Sequence, residues 1–147
     1  MMLGTQLVGT WRLIAREDRT LDGEPRIDPV LGPDPVAILT YDAGGSFAAQ
    51  FMKRDRSPAA APAPPAAPGS NNSTAVNGYD AYFGTYTVDD STGTVTQTLQ
   101  GAISAADIGK VVTREMRVID GQLTIQLQTT NASGEPIVRT LRWRRSA

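Results

Sequence analysis

The 147-residue chain has no cysteine and no histidine. Without cysteine there is neither a disulfide framework nor a thiol nucleophile, and without histidine the commonest general base and the commonest metal ligand are both missing. Most familiar hydrolytic and redox chemistries are thereby excluded. An excess of one charge is also lacking, since 14 Lys plus Arg against 15 Asp plus Glu leave a formal net charge of -1. Such a chain projects no long-range field toward nucleic acid or anionic lipid, and the basic cluster Arg142, Arg144 and Arg145 is too small for a duplex-binding stripe. Long apolar runs are absent too: Val36 to Leu39 is far too short to cross a bilayer, and Met1 to Gln6 has no basic and then apolar leader pattern. The expectation is a soluble cytoplasmic protein with neither a nucleic-acid nor a membrane partner; the oligomeric state stays open.

What is present is two-residue alternation along nearly the whole chain, broken by turn chemistry. With 40% hydrophobic residues the chain can bury a core without disulfide or metal staples, and one domain over residues 1–147 is expected. A first strand is predicted from Leu7 to Glu17. The stretch Asp18 to Pro35, with Asp22-Gly23 and several prolines, reads as a long first loop. Strands follow over Val36–Tyr41, Ser46–Met52, Tyr79–Val88, Thr94–Gln100, Lys110–Ile119, Leu123–Thr130 and Glu135–Arg144, with Asp42-Ala43-Gly44-Gly45 and Asp120-Gly121 as hairpin turns. Ala102 to Ile108 has room for one helical turn capped by Ser104. The total is eight strands, a number that closes a barrel around side chains or one small ligand. The exception is residues 54–77, whose Pro/Ala run and Gly-Ser-Asn tail bury too little apolar area to offset ordering entropy. That segment is expected to be a disordered, flexible loop insert; a Pro-rich ligand for an adaptor domain and a lid over the barrel mouth are the sharper alternatives.

Alternation assigns faces. Val95, Gln97 and Leu99 share one side of their strand, and Leu123, Ile125 and Leu127 one side of theirs. In the strand between, Val112, Arg114, Met116 and Val118 fall together, so Gln97 and Arg114 are expected inside. A buried glutamine or arginine is costly unless hydrogen-bonded, by a ligand carbonyl or carboxylate or by tyrosine hydroxyls and backbone. Tyr41, Tyr82 and Tyr86 offer aromatic walls with polar tips, and Phe47, Phe51 and Phe83 apolar wall. At the chain ends, Trp11 and Trp143 lie in neighbouring strands if the barrel closes, and an arginine of the last strand can then cover the Trp11 indole.

Four blocks carry a resemblance: Leu7-Val8-Gly9-Thr10-Trp11-Arg12-Leu13, Ile38-Leu39-Thr40-Tyr41-Asp42 with Gly44-Gly45, Ala81-Tyr82-Phe83-Gly84-Thr85-Tyr86-Thr87-Val88-Asp89, and Leu141-Arg142-Trp143-Arg144. Together they resemble the lipocalin-like domain proteins of the calycin type. The resemblance implies an all-β, eight-stranded antiparallel up-and-down barrel with a ligand cavity open at one end. It implies little about chemistry, because many such proteins have no assigned activity while others with similar barrels bind small apolar molecules or catalyse cyclisation and isomerisation in secondary metabolism. Where that family often carries histidine, this chain has Gln97, so imidazole proton transfer does not operate at that position.

Two functions follow. In the first the barrel binds a small, largely apolar molecule, with Tyr41, Phe47, Phe51, Phe83, Leu99 and Met116 as its wall. In the second it is a cofactor-free cyclase or isomerase acting on a polyketide-like or terpenoid-like substrate, with Tyr82, Tyr86, Gln97 and Arg114 as catalytic polarising groups. A partner-binding scaffold is the bland alternative. No cofactor is expected. Lys53 and Lys110 sit near strand ends where solvent keeps an amine protonated, and Asp18, Asp22, Glu24 and Asp28 lack the ligand spacing of a metal loop and read as a solvated stretch.

Overall fold

A computed structural model describes residues 2–56 and 77–146. Most of the insert expected over 54–77 lies outside the described residues. The elements are α1 (Leu3–Leu7), β1 (Gly9–Thr20), β2 (Pro25–Arg26), β3 (Val36–Tyr41), β4 (Ser46–Met52), β5 (Tyr79–Asp89), β6 (Thr94–Ala102), a single 3-10 turn (Ala105–Asp107), β7 (Val111–Ile119), β8 (Gln122–Thr130) and β9 (Pro136–Arg145). Every long strand pairs antiparallel with its sequence neighbour, and β1 pairs with both β3 and β9, so the sheet closes into an eight-stranded barrel with β2 as a short annex. Among the described residues no helix is long and apolar enough to cross a membrane.

The expected strands β3 and β4 have the observed bounds, and Ser104 Oγ caps the 3-10 turn by accepting from the Ala106 N–H. The first strand is longer than its alternation suggested. A bulge between Leu13 and Ala15 shifts the register against β9, so Trp11 and Leu13 face inward before it and Arg16 and Asp18 after it. Asp18 is therefore buried inside the barrel rather than part of a solvated loop. What remains of the long loop is also not all exposed, because Val30 and Leu31 fold back and are buried.

Both ends of the barrel are filled. At the lower end α1 lays Leu3 and Leu7, four residues apart on one face, into the core. The Trp11 indole Nε1–H donates to the Leu7 carbonyl at 2.9 Å, and the Arg145 guanidinium lies 4.2 Å from the ring centroid, the arginine cover expected from the sequence. Gly9 is required here: its φ is +136°, and a Cβ would stand 2.6 Å from an Arg145 nitrogen. At the upper end Asp28 Oδ1 accepts the N–H groups of Val30 and Leu31, which turns Leu31 down into the core cluster.

The barrel wall is not uniformly zipped. Strands β8 and β9 pair over their full length, from Gln122–Arg144 to Thr130–Pro136. The ladder between β7 and β8 runs from Ile119–Gln122 only to Glu115–Gln126 and stops there. Residues 111–114 of β7 stay on β6 while residues 127–130 of β8 stay on β9, which leaves a wedge in the upper part of the wall.

Candidate functional site

The interior is crossed by aromatic contacts. Tyr86 meets Tyr41 edge-on at 4.8 Å, Tyr41 stacks on Phe47 at 6.0 Å, Tyr82 packs against Phe47 and Phe51, and Phe51 meets Trp143 at 5.9 Å. Strands β4 and β9 are not neighbours, so the last contact spans the lumen. The space left at the centre is about 20 Å³, room for a single water. Its lining includes Tyr41, Phe51, Tyr82, Gln97, Arg114, Met116 and Trp143, with Leu127 and other aliphatic side chains between them.

Several residues singled out from the sequence therefore meet at one place. Gln97 is buried and its Nε2 donates to the Tyr41 hydroxyl at 3.4 Å, while that hydroxyl donates to the Met116 sulfur at 3.8 Å. Burial pushes the Tyr41 phenol well above its ordinary value. It likewise pushes the Tyr82 phenol up to about 12, with the Arg114 guanidinium acting in the opposite sense. Both hydroxyls are thus protonated donors at neutral pH. Arg114 points inward as its alternation requires; burial lowers its pKa, and the Tyr82 and Tyr41 phenols act against that. One Nη1 donates to the carbonyl of its own neighbour Thr113 at 2.9 Å.

Other expected wall residues are placed elsewhere. Phe83 faces outward and is 54% exposed, because Asp80, Tyr82, Gly84 and Tyr86 take the inner face of β5. Its ring covers Gly101, where an added Cβ would stand 2.2 Å from the ring. The Tyr86 hydroxyl donates to the Asp42 carbonyl at the β3–β4 hairpin, directed away from the central space. Phe47 and Leu99 are buried in the core but do not line that space.

Two features escaped the sequence reading. The first is a buried ion network at the upper end, where Arg139 is 1% exposed. Its Nε donates to Asp18 Oδ1 at 2.8 Å and its Nη2 to Asp18 Oδ2 at 3.0 Å, while Arg16 Nη2 reaches Asp18 at 3.3 Å and Asp28 at 2.9 Å. Burial alone would raise the Asp18 carboxyl, but hydrogen bonds and charge from Arg139, with Arg16 behind, hold it below its ordinary value. The signal for Arg139 was present, since it alternates with Ile137, Leu141 and Trp143. Asp18 and Arg16 had none, because the bulge reverses their parity. The second feature is the indole Nε1–H of Trp143, buried on the lining of the central space with no protein acceptor among the described residues. Sequence placed Trp143 at the barrel closure and gave no sign of this orphan.

Chemically, the polar atoms of the lining are mostly donors. Trp143 and Arg114 can only donate, the Gln97 amide N–H and the Tyr41 hydroxyl already do so, and the acceptors are few. Among the described residues no cluster of acidic groups suits a metal ion. The model of the lipocalin-like domain matches residues 8–146. The chain belongs to the lipocalin-like domain family. Among curated proteins no relative matches it. For a lipocalin-like domain the closed barrel is the expected frame for a small-molecule site, and here that frame encloses a narrow, donor-rich interior.

Proposed function

We propose that this lipocalin-like domain binds a small, largely apolar molecule between Tyr41, Phe51, Tyr82, Met116 and Trp143, with an acceptor oxygen of the ligand facing Trp143, Gln97 and Arg114. The observation that carries the reading is the buried Trp143 indole N–H on the lining of the central space, which has no protein acceptor among the described residues. An unmade hydrogen bond of that kind costs about 1–3 kcal/mol, which an entering carbonyl or carboxylate recovers. The flexible side chains of Met116 and Arg114 yield the volume, since the space at rest holds one water. Titration with a panel of small aromatic and aliphatic carbonyl compounds, read by quenching of tryptophan fluorescence and by mass spectrometry of the intact complex, tests it. A stoichiometric complex is expected; a panel without any binder contradicts the reading.

The protonated Tyr82 phenol beside Arg114 favours a second reading, a cofactor-free cyclase or isomerase acting on a polyketide-like or terpenoid-like substrate. The two donors would stabilise negative charge developing on a substrate carbonyl. On a substrate found by binding, Tyr82→Phe and Arg114→Leu then lower turnover more than affinity. Equal losses in both leave binding alone.

A further inference from the structure

We infer that the outer face of β7, β8, β9 and β1 is a docking surface for an extended acidic segment of a partner protein, held by Arg12, Arg117, Arg142 and Arg144. Alternation and register gather these side chains on the outside of the wall. Arg12 on β1 stands directly opposite Arg144 on β9, and Arg142, two residues away on β9, shares that face. Across the other side of β9, Arg142 is opposite Thr124, which is in turn opposite Arg117 on β7. All four arginines are exposed. Among the described residues none of the four guanidinium groups makes a hydrogen bond or an ion pair; Arg142 acts on the Glu17 carboxylate through charge alone, and that carboxylate is bonded to Arg19.

Other exposed cations are neutralised, since Arg19, Arg26, Arg54 and Lys110 each hold a carboxylate. Like charges directly opposite on neighbouring strands destabilise a sheet, so the juxtaposed Arg12 and Arg144 work against the isolated fold. They do not guard an open edge either, because β1, β7, β8 and β9 each have a neighbour on both sides. Apolar contact is also on offer, with Ile14 at the bulge and Ile119 before the β7–β8 turn both exposed. A groove on this face is lined by Arg117, Arg142, Thr124, Thr140 and Gln122, with the carboxylates of Glu17 and Asp120 also on it.

Shape and charge select the occupant. From β7 to β1 is three of the eight strand steps around the barrel, more than a third of its circumference. A flat bilayer or a rigid duplex touches one side of that arc at a time, whereas an extended chain wraps along it. A single strand of nucleic acid stacks its bases on aromatic rings, and the exposed apolar side chains here are isoleucines. Carboxylates at alternate positions of an extended segment recur at about 7 Å, the same repeat that separates Arg142 from Arg144 along β9. Each guanidinium fork can take one in a two-pronged, charge-assisted bond.

The probe is a fluorescently labelled peptide of about a dozen residues, with glutamate at alternate positions and glycine, serine and one leucine between. Its anisotropy with the whole chain is expected to report binding that weakens steeply as salt rises. Arg142→Glu with Arg144→Glu is expected to weaken binding about tenfold or more, while Arg54→Glu with Lys110→Glu, which removes the same charge from outside this face, leaves it within about twofold. Without peptide, Arg144→Thr is expected to raise the unfolding temperature by about 1–3 °C at low salt, a gain that high salt removes. Absence of binding, equal losses in the two double variants, or a lowered unfolding temperature for Arg144→Thr overturns the proposal. Tighter binding of phosphatidylserine vesicles or of a single-stranded oligonucleotide, lost with Arg142→Glu and Arg144→Glu, also overturns it, as does self-association of the chain that the same variant abolishes, since each names a different occupant.

Discussion

At the lower end of the barrel Leu3, Leu7 and Trp11 pack together under one arginine, whereas at the upper end two guanidinium groups and two carboxylates stand beside Val30 and Leu31. The lower closure is mostly hydrophobic; the charge on Arg145 is never lost at accessible pH, and the Asp90 carboxylate accepts the Gly4 N–H of α1 at 2.8 Å. The upper closure depends on every partner being ionised and in place. Taking four charged groups out of water is repaid only by their mutual geometry, so deleting one partner costs more than the pair itself contributes. The two plugs therefore respond to different perturbations, the lower one to loss of apolar volume and the upper one to loss of charge.

The largest expected effect is at the lower end. Trp11→Ala removes a fully buried indole and its bond to the Leu7 carbonyl, and should cost about 3–5 kcal/mol in denaturant unfolding. A loss under about 1 kcal/mol, typical of exposed sites, would mean that this end is not plugged as described. At the upper end Arg139→Leu leaves the buried Asp18 carboxylate with the longer Arg16 contact in place of its two-pronged partner, with an expected loss of about 3 kcal/mol. Removing both charges together, as in Asp18→Leu with Arg139→Leu, should recover part of that loss in a double-mutant cycle.

Acid gives a smaller effect that separates the two ends. The folded Asp18 carboxyl lies below its ordinary value, so its contribution to stability is fully present above the unfolded value of about 4 and is lost as pH falls through the lowered folded value. Hydrogen exchange should then show the amides of Val30 and Leu31 opening at a higher pH than those of α1, and Asp18→Asn should flatten the difference. Simultaneous opening of both ends would break the contrast.

How much of this was legible in the sequence depends on how regular each strand is. In β6, β7 and β8 unbroken alternation placed Gln97, Arg114, Met116 and Leu127 on the inner face, and the structure brings all four to the central space. The closing pair of ends followed from Trp11 and Trp143 in the first and last strands, which meet with Leu13 opposite Trp143. The bulge after Leu13 left no local mark, because Ile14 and Ala15 fit either face, and with it went the inward turn of Arg16 and Asp18. Phe83 misled for the opposite reason. Its size suggested a buried wall, but an aromatic ring also stabilises a strand by covering a glycine on the outer face, as it does over Gly101. The orphan indole N–H of Trp143 depends on what three other strands place around it, which no local pattern encodes.

An acceptor-bearing small molecule seated in the interior would meet the Trp143 indole N–H. The two tryptophan indole N–H resonances in NMR test it most directly, since Trp11 is bonded to the Leu7 carbonyl and Trp143 has no protein acceptor among the described residues. On titration with a ligand taken from the binding panel, the Trp143 resonance should move downfield as its hydrogen bond forms while that of Trp11 stays in place. A bound ligand that leaves the Trp143 resonance unmoved, or shifts only that of Trp11, would contradict the account.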